Sequence, residues 1–331
     1  MIDYNRCKKI IEEAITLLQL NLKGLTILTE VASGLFVFTP VIAALAGSKK
    51  VLAVVNDSAY GSADNIIEDC LKIADRYGIN KSIFSFAKNS VPKEFLESAD
   101  IITNSGHLRP LDEEKLSLLK KNAVIPIMYE KWELRESDIN IPFCEKKGIK
   151  TGGTWENHPS LKIFDYCTHL MLKLIFEAGY EINGNKIIVF SSDHYGVLLQ
   201  KACLSLGASS VIITSDSEKV MADIDNTDFI FFCDYNNCTK LIVDSSQSAF
   251  NLHEIYRRNN SVGIIHLTGN IDNEFVKRGG LSIYPDKKGE SQRMTHTLAY
   301  LGPRPILMLQ AAGLKVGEEL YQNKCTSLTQ L

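Results

Sequence analysis

The stretch Val189–Gly196, VFSSDHYG, lies between GNKII and a run that reads VLLQKACLSLGASSVIITSD. Strand, tight turn, helix, strand and acid follow in that order, which is the frame of a dinucleotide-binding βαβ unit. The turn of such a unit carries three glycines. The first allows the bend, the second lets backbone amides approach a diphosphate, and the third lets helix and strand pack closely. Ser191, Asp193 and Gly196 stand at those places. Gly196 keeps the packing role. Asp193 sets a carboxylate where a diphosphate would meet helix-end amides. The same carboxylate suits a helix N-cap, so both roles are open. Asp216 lies 20 residues beyond Gly196, where an acid can hold a ribose diol. Ser191, Ser192, Asp193, His194, Tyr195, Gly196 and Asp216 therefore form the candidate cofactor site. The segment TSDSEK around Asp216 holds an acid beside Ser and Lys and does not choose NAD over NADP.

Other loops carry chemistry of their own. In TEVASG, Thr29 to Gly34, a small-residue loop offers amides to an anion or polar substrate, with Glu30 and Ser33 at hand. Plain loop chemistry is the alternative. Asn56-Asp57-Ser58 follows VLAVV at a strand's carboxyl end, where open α/β sheets bind ligands. Asp57 is a candidate catalytic or substrate-contacting acid, with Asn56 beside it; a cap or turn role is the alternative. In NSGHLRP, Ser105, Gly106, His107 and Arg109 could hold a carboxylate, since Arg offers a two-pronged donor array. Glu156 and His158 in TWENHP, and Tyr129 and Glu130 at the end of AVIPIMY, are further candidates. His266 ends the strand VGIIH and could act as acid/base; a bond to a loop carbonyl is the alternative. Arg293 and His296 are three apart in QRMTHTLAYL and share a face if that segment is helical. They could present a cation and a proton donor to an anionic substrate, or form a solvated face.

The elements that must position these residues alternate. Strands are expected at LTILTE, KKVLAVV, KSIFSFA, DIIT and AVIPIMY, separated by helical segments that include LFVFTPVIAALAG, SADNIIEDCLKIADRYG and LDEEKLSLLKKN. A turn-rich stretch, GIKTGGTWENHP, precedes a long apolar helix, SLKIFDYCTHLMLKLIFEAG. A second alternation runs from Lys186–Phe190 to Leu281–Tyr284, and the helical segments QRMTHTLAYL and PILMLQAAGL close the chain. With 331 residues, two domains are the expectation. A formal net charge of −3 with no basic run gives a nucleic-acid or anionic-membrane partner no support. The apolar stretch Leu35 to Gly47 is too short to span a bilayer, and the acid-containing amphipathic start is no signal peptide. Eight scattered cysteines without a CxxC pair read as free thiols of a cytoplasmic protein; Cys233 and Cys238 have the wrong spacing for zinc, and no metal is expected.

Several stretches carry a family resemblance. The frame from Lys186 to Asp216, taken with SADIITNSGHLRPLDEEKLSLLKKNAVIP and CEKKGIKTGGTWEN, resembles the D-isomer-specific 2-hydroxyacid dehydrogenases. TPVIAALAGSKKVLAVVNDSAYGSADNIIEDC and the ending QRMTHTLAYLGPRPILMLQAAGL are similar to distant adenosylhomocysteinases. The resemblance implies an α/β fold of two domains with largely parallel sheets, the second a Rossmann-type fold with a degenerate glycine turn. It implies a flavodoxin-like substrate domain over 1–150 plus 291–331 and a nucleotide-binding domain over 151–290. The dehydrogenases clamp a carboxylate with an arginine after a late strand. Leu267-Thr268-Gly269 stands there instead, and no arginine follows until Arg278. The resemblance places His266 toward an inter-domain cleft and His296 near the dehydrogenases' catalytic histidine. The expected function is an NAD(P)-linked oxidoreductase acting on a small metabolite, with NAD or NADP as cofactor. An adenosylhomocysteinase-like hydrolase with tightly bound NAD and a non-catalytic ligand-binding relative are the alternatives. The family habit of pairing through the nucleotide domain makes a homodimer the expected assembly.

Overall fold

In a computed structural model, residues 2–235 and 239–331 are described. Cys238 lies outside them; none of the seven described cysteines is in a disulfide. The chain order is α1 (Tyr4–Leu18), β1 (Thr26–Glu30), α2 (Phe38–Leu45), β2 (Lys50–Val55), α3 (Ala63–Tyr77), β3 (Phe84–Lys88), α4 (Lys93–Ser98), β4 (Ile101–Ile102), α5 (Glu113–Ser117), β5 (Val124–Pro126), α6 (Ile141–Lys147) and β6 (Lys150–Thr154). It continues through α7 (Ile163–Glu177), β7 (Lys186–Phe190), α8 (His194–Ser205), β8 (Ser210–Thr214), α9 (Ser217–Asp223), β9 (Phe229–Phe232), β10 (Lys240–Ile242), α10 (Leu252–Arg258), β11 (Gly263–His266), β12 (Asn270–Ile271), α11 (Asn273–Arg278), β13 (Ser282–Tyr284), α12 (Pro303–Gln322) and β14 (Thr329–Gln330). Contacts divide it into two units. The chain up to Ile163 joins Gly302–Leu331 in unit 1, and Phe164–Leu301 form unit 2.

In unit 1 the sheet order is β3-β2-β1-β4-β5-β6-β14, parallel except that β14 runs antiparallel to β6. Six strands in the order 3-2-1-4-5-6 reverse direction across the sheet between β1 and β4. Strands covered on both faces read as apolar runs, as in KVLAVV of β2. Helix α3 shows the local logic. Ser62 accepts from the Asn65 N–H at its start, a buried stripe includes Ile66, Cys70, Ile73 and Tyr77, and Gly78 ends it in the left-handed conformation. Helix α12 packs on β4, β5 and β6. Its Gly313 and Gly317 permit that contact, since an added Cβ would lie 2.6 Å from Met128 Sδ and 2.7 Å from Ile101 Cγ2.

Unit 2 holds a five-stranded parallel sheet, β13-β11-β9-β7-β8, and the β10-β12 pair. Its order, 2-1-3-4-5 from β8, reverses between β7 and β9. The apolar runs KIIVF and FIFF pair with Val189 opposite Phe231 and Phe190 opposite Phe232. Phe190, Phe232 and Phe250 pack ring to ring at 5.4–5.6 Å.

Several elements differ from expectation. QRMTHTLAYL is an extended loop with one 3-10 turn, Leu298–Tyr300. Gln292 takes a positive φ and the Thr295 N–H is drawn to the Leu267 carbonyl, which breaks helical hydrogen bonding there. Arg293 and His296 therefore share no helix face. LDEEKLSLLKKN yields only Glu113–Ser117, and the long apolar helix starts at Ile163, after a left-handed Lys162. Glu130, one of the strand-end candidates, is buried.

Phe232→Ala should destabilise unit 2 by about 3–5 kcal/mol, since the emptied aromatic site cannot collapse onto a rigid sheet. Denaturant unfolding followed by near-UV signal checks this; a loss under about 1 kcal/mol would mean a loosely packed aromatic core.

Candidate functional site

The sheet reversal of unit 2 brings the loops after β7 and β9 together. Asp193 is the N-cap of α8: its Oδ1 accepts from the Tyr195 N–H at 2.9 Å and from the Ser191 hydroxyl at 2.9 Å. Its Oδ2 accepts from the Tyr235 N–H at 2.8 Å. Asp234, absent from the sequence-based candidates, ends the run FIFFCD and is buried. Its Oδ2 accepts from the Ser192 N–H at 2.9 Å and the Ser192 hydroxyl at 2.7 Å. The only sequence signal for it is an acid at the end of an apolar strand. Gly196 keeps the close-packing role, as a Cβ there would lie 2.7 Å from Ser191 Cβ. Asp216 is exposed at the end of β8, where it caps α9 through the Glu218 N–H at 2.9 Å. His194 is exposed, its ring 4.8 Å from Phe164 and 4.1 Å from the buried Tyr195. Ser192 is exposed and Ser191 is buried.

His266 is 0% exposed. Its Nε2 lies 3.2 Å from the Pro285 carbonyl, which can only accept, so Nε2–H donates. The Thr295 hydroxyl lies 3.0 Å from Nδ1 and donates to it. Burial pushes the imidazole pKa down to about 4, against the Pro285 carbonyl, which favours the charged form. This is the carbonyl-bonded arrangement, with both nitrogens engaged. His296 stacks on the Tyr300 ring at 3.9 Å, and burial lowers its pKa. Arg293 is exposed and paired with Glu290 at 3.0 Å.

The reversal of unit 1 lies between β1 and β4. The Glu30 carboxylate accepts from the His107 N–H at 3.0 Å through Oε2, and Gly106 lies against the same oxygen, 3.3 Å from an added Cβ. His107 Nδ1 is 3.4 Å from the Val54 carbonyl on β2. Neither Glu30 Oε1 nor His107 Nε2 has a hydrogen-bond partner among the described residues. Asn56, past the end of β2, keeps a buried Oδ1 with no partner among the described residues. Ser105 is buried and shares a 2.5 Å hydroxyl contact with Thr103. Arg109 does not present a free fork. Its Nε and Nη2 donate to the side chain and backbone of Asn104 at 2.9 and 2.8 Å, Nη1 pairs with Asp138 at 3.3 Å, and the guanidinium covers the Tyr129 ring. Asp57 is exposed and locked to Asn89 and the Ala63 N–H, bonds that hold its carboxyl below the usual range. Beside the β1 turn a cavity of about 330 Å³ is lined by Ser33, Gly34, Tyr60, Gly61, Asn65 and Asp69, among others.

Further along the same edge three glutamates gather. Glu130 accepts from the Glu156 N–H at 2.8 Å and from Gln330 at 2.5 Å. Burial, then the Glu130 charge, pushes Glu133 up to about 7. Burial, then Glu133 and Glu130, pushes Glu156 well above its ordinary value. His158 is engaged with Ser327 and the Ser160 N–H. Among the described residues no group of three His, Cys, Asp or Glu is arranged to hold a metal ion, and no helix is long and apolar enough to cross a membrane.

No protein-family model and no curated protein sequence matches the chain. Solved structures share its fold. The dipicolinate synthase A chain from Bacillus subtilis aligns at a TM-score of 0.54 and 11% identity, over 93% of this chain and 100% of that one. The pyruvate reductase of Chlamydomonas reinhardtii aligns at 0.52 and 8%, over 92% and 99%. A Ralstonia solanacearum protein described as a D-3-phosphoglycerate dehydrogenase oxidoreductase aligns at 0.51 and 10%, over 92% and 96%. The chain thus shares its α/β fold with these proteins, and the largely parallel sheets in two units are those the sequence implied.

Two pH effects follow from the buried groups. The pKa of His266 is depressed on folding, so its contribution to stability is present above about pH 6.5 and lost as pH falls toward about 4. Its ring resonances should stay flat from pH 8 to about 5; a midpoint near 6.5 would mean a solvent-accessible imidazole. Glu133 is raised, so its contribution is full below about pH 4.5 and lost as pH rises through about 7. Glu133→Gln should remove that loss and stabilise unit 1 at pH 8; thermal unfolding at pH 5 and pH 8 measures it, and an unchanged pH slope would show that Glu133 ionises freely.

Proposed function

We propose that this chain is an enzyme of small-molecule metabolism on an oxidoreductase plan. A small polar metabolite sits at the carboxyl edge of unit 1, and a nucleoside-type ligand sits at the carboxyl edge of unit 2. The observation that carries the reading is the set of open polar atoms beside the β1/β4 reversal: Glu30 Oε1, His107 Nε2 and Asn56 Oδ1. Open α/β sheets take ligands at such a reversal. The names of the structures sharing the fold, a pyruvate reductase and a D-3-phosphoglycerate dehydrogenase, support the oxidoreductase class. His107 is then the acid/base group in preference to His266 and His296, because its Nε2 is open to a substrate proton. Ser33 and Ser105 line the same edge, and the Glu30 charge favours a neutral or cationic substrate over a carboxylate. Arg109 shapes the loop through Asn104 and Asp138.

A nicotinamide dinucleotide is the cofactor such a plan implies. Asp216 and Gly196 suit its ribose and its approach to the helix. The amides held by Asp193 and Asp234 do not fit its diphosphate. The same misfit weighs against a hydrolase with tightly bound NAD. A non-catalytic ligand-binding relative is the second reading, favoured by that self-filled turn.

A thermal-shift titration with adenosine, NAD⁺, NADH, NADP⁺ and NADPH tests the reading, since a ligand of the native state raises the melting point. Adenosine should raise it, and Asp216→Ala should remove the effect; an equal shift in Asp216→Ala would move the ligand away from β8. Turnover of any substrate found should fall by about 100-fold or more in His107→Gln with the fold intact. Unchanged turnover would remove His107 from the chemistry.

A further inference from the structure

We propose that Asp193 and Asp234 are built-in anions at the diphosphate position of unit 2, so that this crevice takes a nucleoside-type ligand and rejects dinucleotides. The inference rests on the reading that unit 2 binds a nucleotide-type ligand, and it names which part of such a ligand is refused. A diphosphate at a βαβ reversal is held by backbone N–H groups at the start of the first helix and in the facing loop. Three such groups lie at the β7/β9 reversal, and a carboxylate oxygen of the protein sits on each. The Tyr195 and Tyr235 N–H groups donate to Asp193, and the Ser192 N–H donates to Asp234.

Both carboxylates are fixed in place. Asp193 takes a third bond from the Ser191 hydroxyl, and Asp234 takes a second from the Ser192 hydroxyl. Gly196 brings the start of α8 close against Ser191, the residue that donates to Asp193: an added Cβ would lie 2.7 Å from the Ser191 Cβ. Asp234 is 2% exposed, and among the described residues its Oδ1 has no hydrogen-bond partner. A buried carboxylate oxygen left unpaired is costly, and an amide or apolar residue would avoid the cost. The charge at this position is therefore unfavourable for stability and acts on what may enter the crevice: an incoming diphosphate loses its three donors and meets two like charges. Asp216 at the end of β8 remains exposed and can still hold a diol. What fits is a nucleoside or similar diol with a neutral or cationic substituent where a dinucleotide has its diphosphate.

The test compares wild type with Asp193→Gly/Asp234→Asn by calorimetric titration of adenosine, NAD⁺ and inorganic pyrophosphate. Glycine is a tolerated N-cap, so the variant should fold. Wild type should bind adenosine at least about tenfold tighter than NAD⁺ and show no pyrophosphate binding. The variant should gain at least about tenfold in affinity for NAD⁺ and pyrophosphate, since freed amides and two fewer charges favour an anion. Wild type binding NAD⁺ as tightly as adenosine would overturn the inference, as would a folded variant with no gain. A gain in the variant without adenosine binding in wild type would uphold the built-in anions and sink the nucleoside reading alone. If the double variant does not fold, Asp193→Asn, which keeps a capping oxygen and removes one charge, must show a smaller gain of the same sign, and no gain there overturns the inference.

Discussion

The edge chemistry of both units depends on one recurring interaction, a side-chain carboxylate accepting from a backbone N–H just past the end of a parallel strand. Glu30 as the last residue of β1 holds His107, Asp57 after β2 holds Ala63, and Glu130 after β5 holds Glu156. In unit 2, Asp193 after β7 holds Tyr195 and Tyr235, Asp216 after β8 holds Glu218, and Asp234 after β9 holds Ser192. Loops that leave a parallel sheet have N–H groups with no ladder partner, and helix starts add more. An acid at the strand end satisfies them at short range and complements the helix dipole. The same edge is where an α/β protein binds its ligand, so each acid also sets the charge of what can approach.

That double role reorders the candidate residues. A group can act on a ligand only with the valences that the fold leaves open. His266 has none, since Pro285 and Thr295 take both ring nitrogens. Arg109 has none of the fork that recognises a carboxylate, since Asn104 and Asp138 take it. His107 keeps Nε2 and Glu30 keeps one oxygen, because their other atoms suffice to fasten the β1 and β4 loops to each other. Residue type at a strand end was thus a fair guide to position and a poor guide to availability.

The alternation of strands and helices made the α/β plan legible in the sequence, because buried parallel strands must be apolar throughout, as in KVLAVV and FIFF. The N-cap alternative for Asp193 was also legible, since a helix start needs an acceptor of its type. Partners distant in sequence were not. Ser192 and Asp234 are 42 residues apart, and nothing local in FIFFCD marks its acid as the occupant of another strand's loop. The helix expected over QRMTHTLAYL failed for the same reason: a hydrogen bond from Thr295 to Leu267 outweighs local helical preference.

The glutamate group at the end of β5 and β6 shows the limit of carboxylate capping. One acid per amide is stabilising, and Glu130 spends its two oxygens on the Glu156 N–H and on Gln330 of the C-terminal strand. Glu133 and Glu156 bring further carboxyls into the same buried space, and burial followed by their mutual repulsion raises their pKa values despite a Glu130 N–H donated to Glu156 and the Arg135 charge near Glu133. At the reversal in unit 2, two serine hydroxyls join three amides around two acids. Burial raises the cost of each strand-end carboxylate, and the donors gathered around it offset that cost, so both together set how well an acid is held at such an edge.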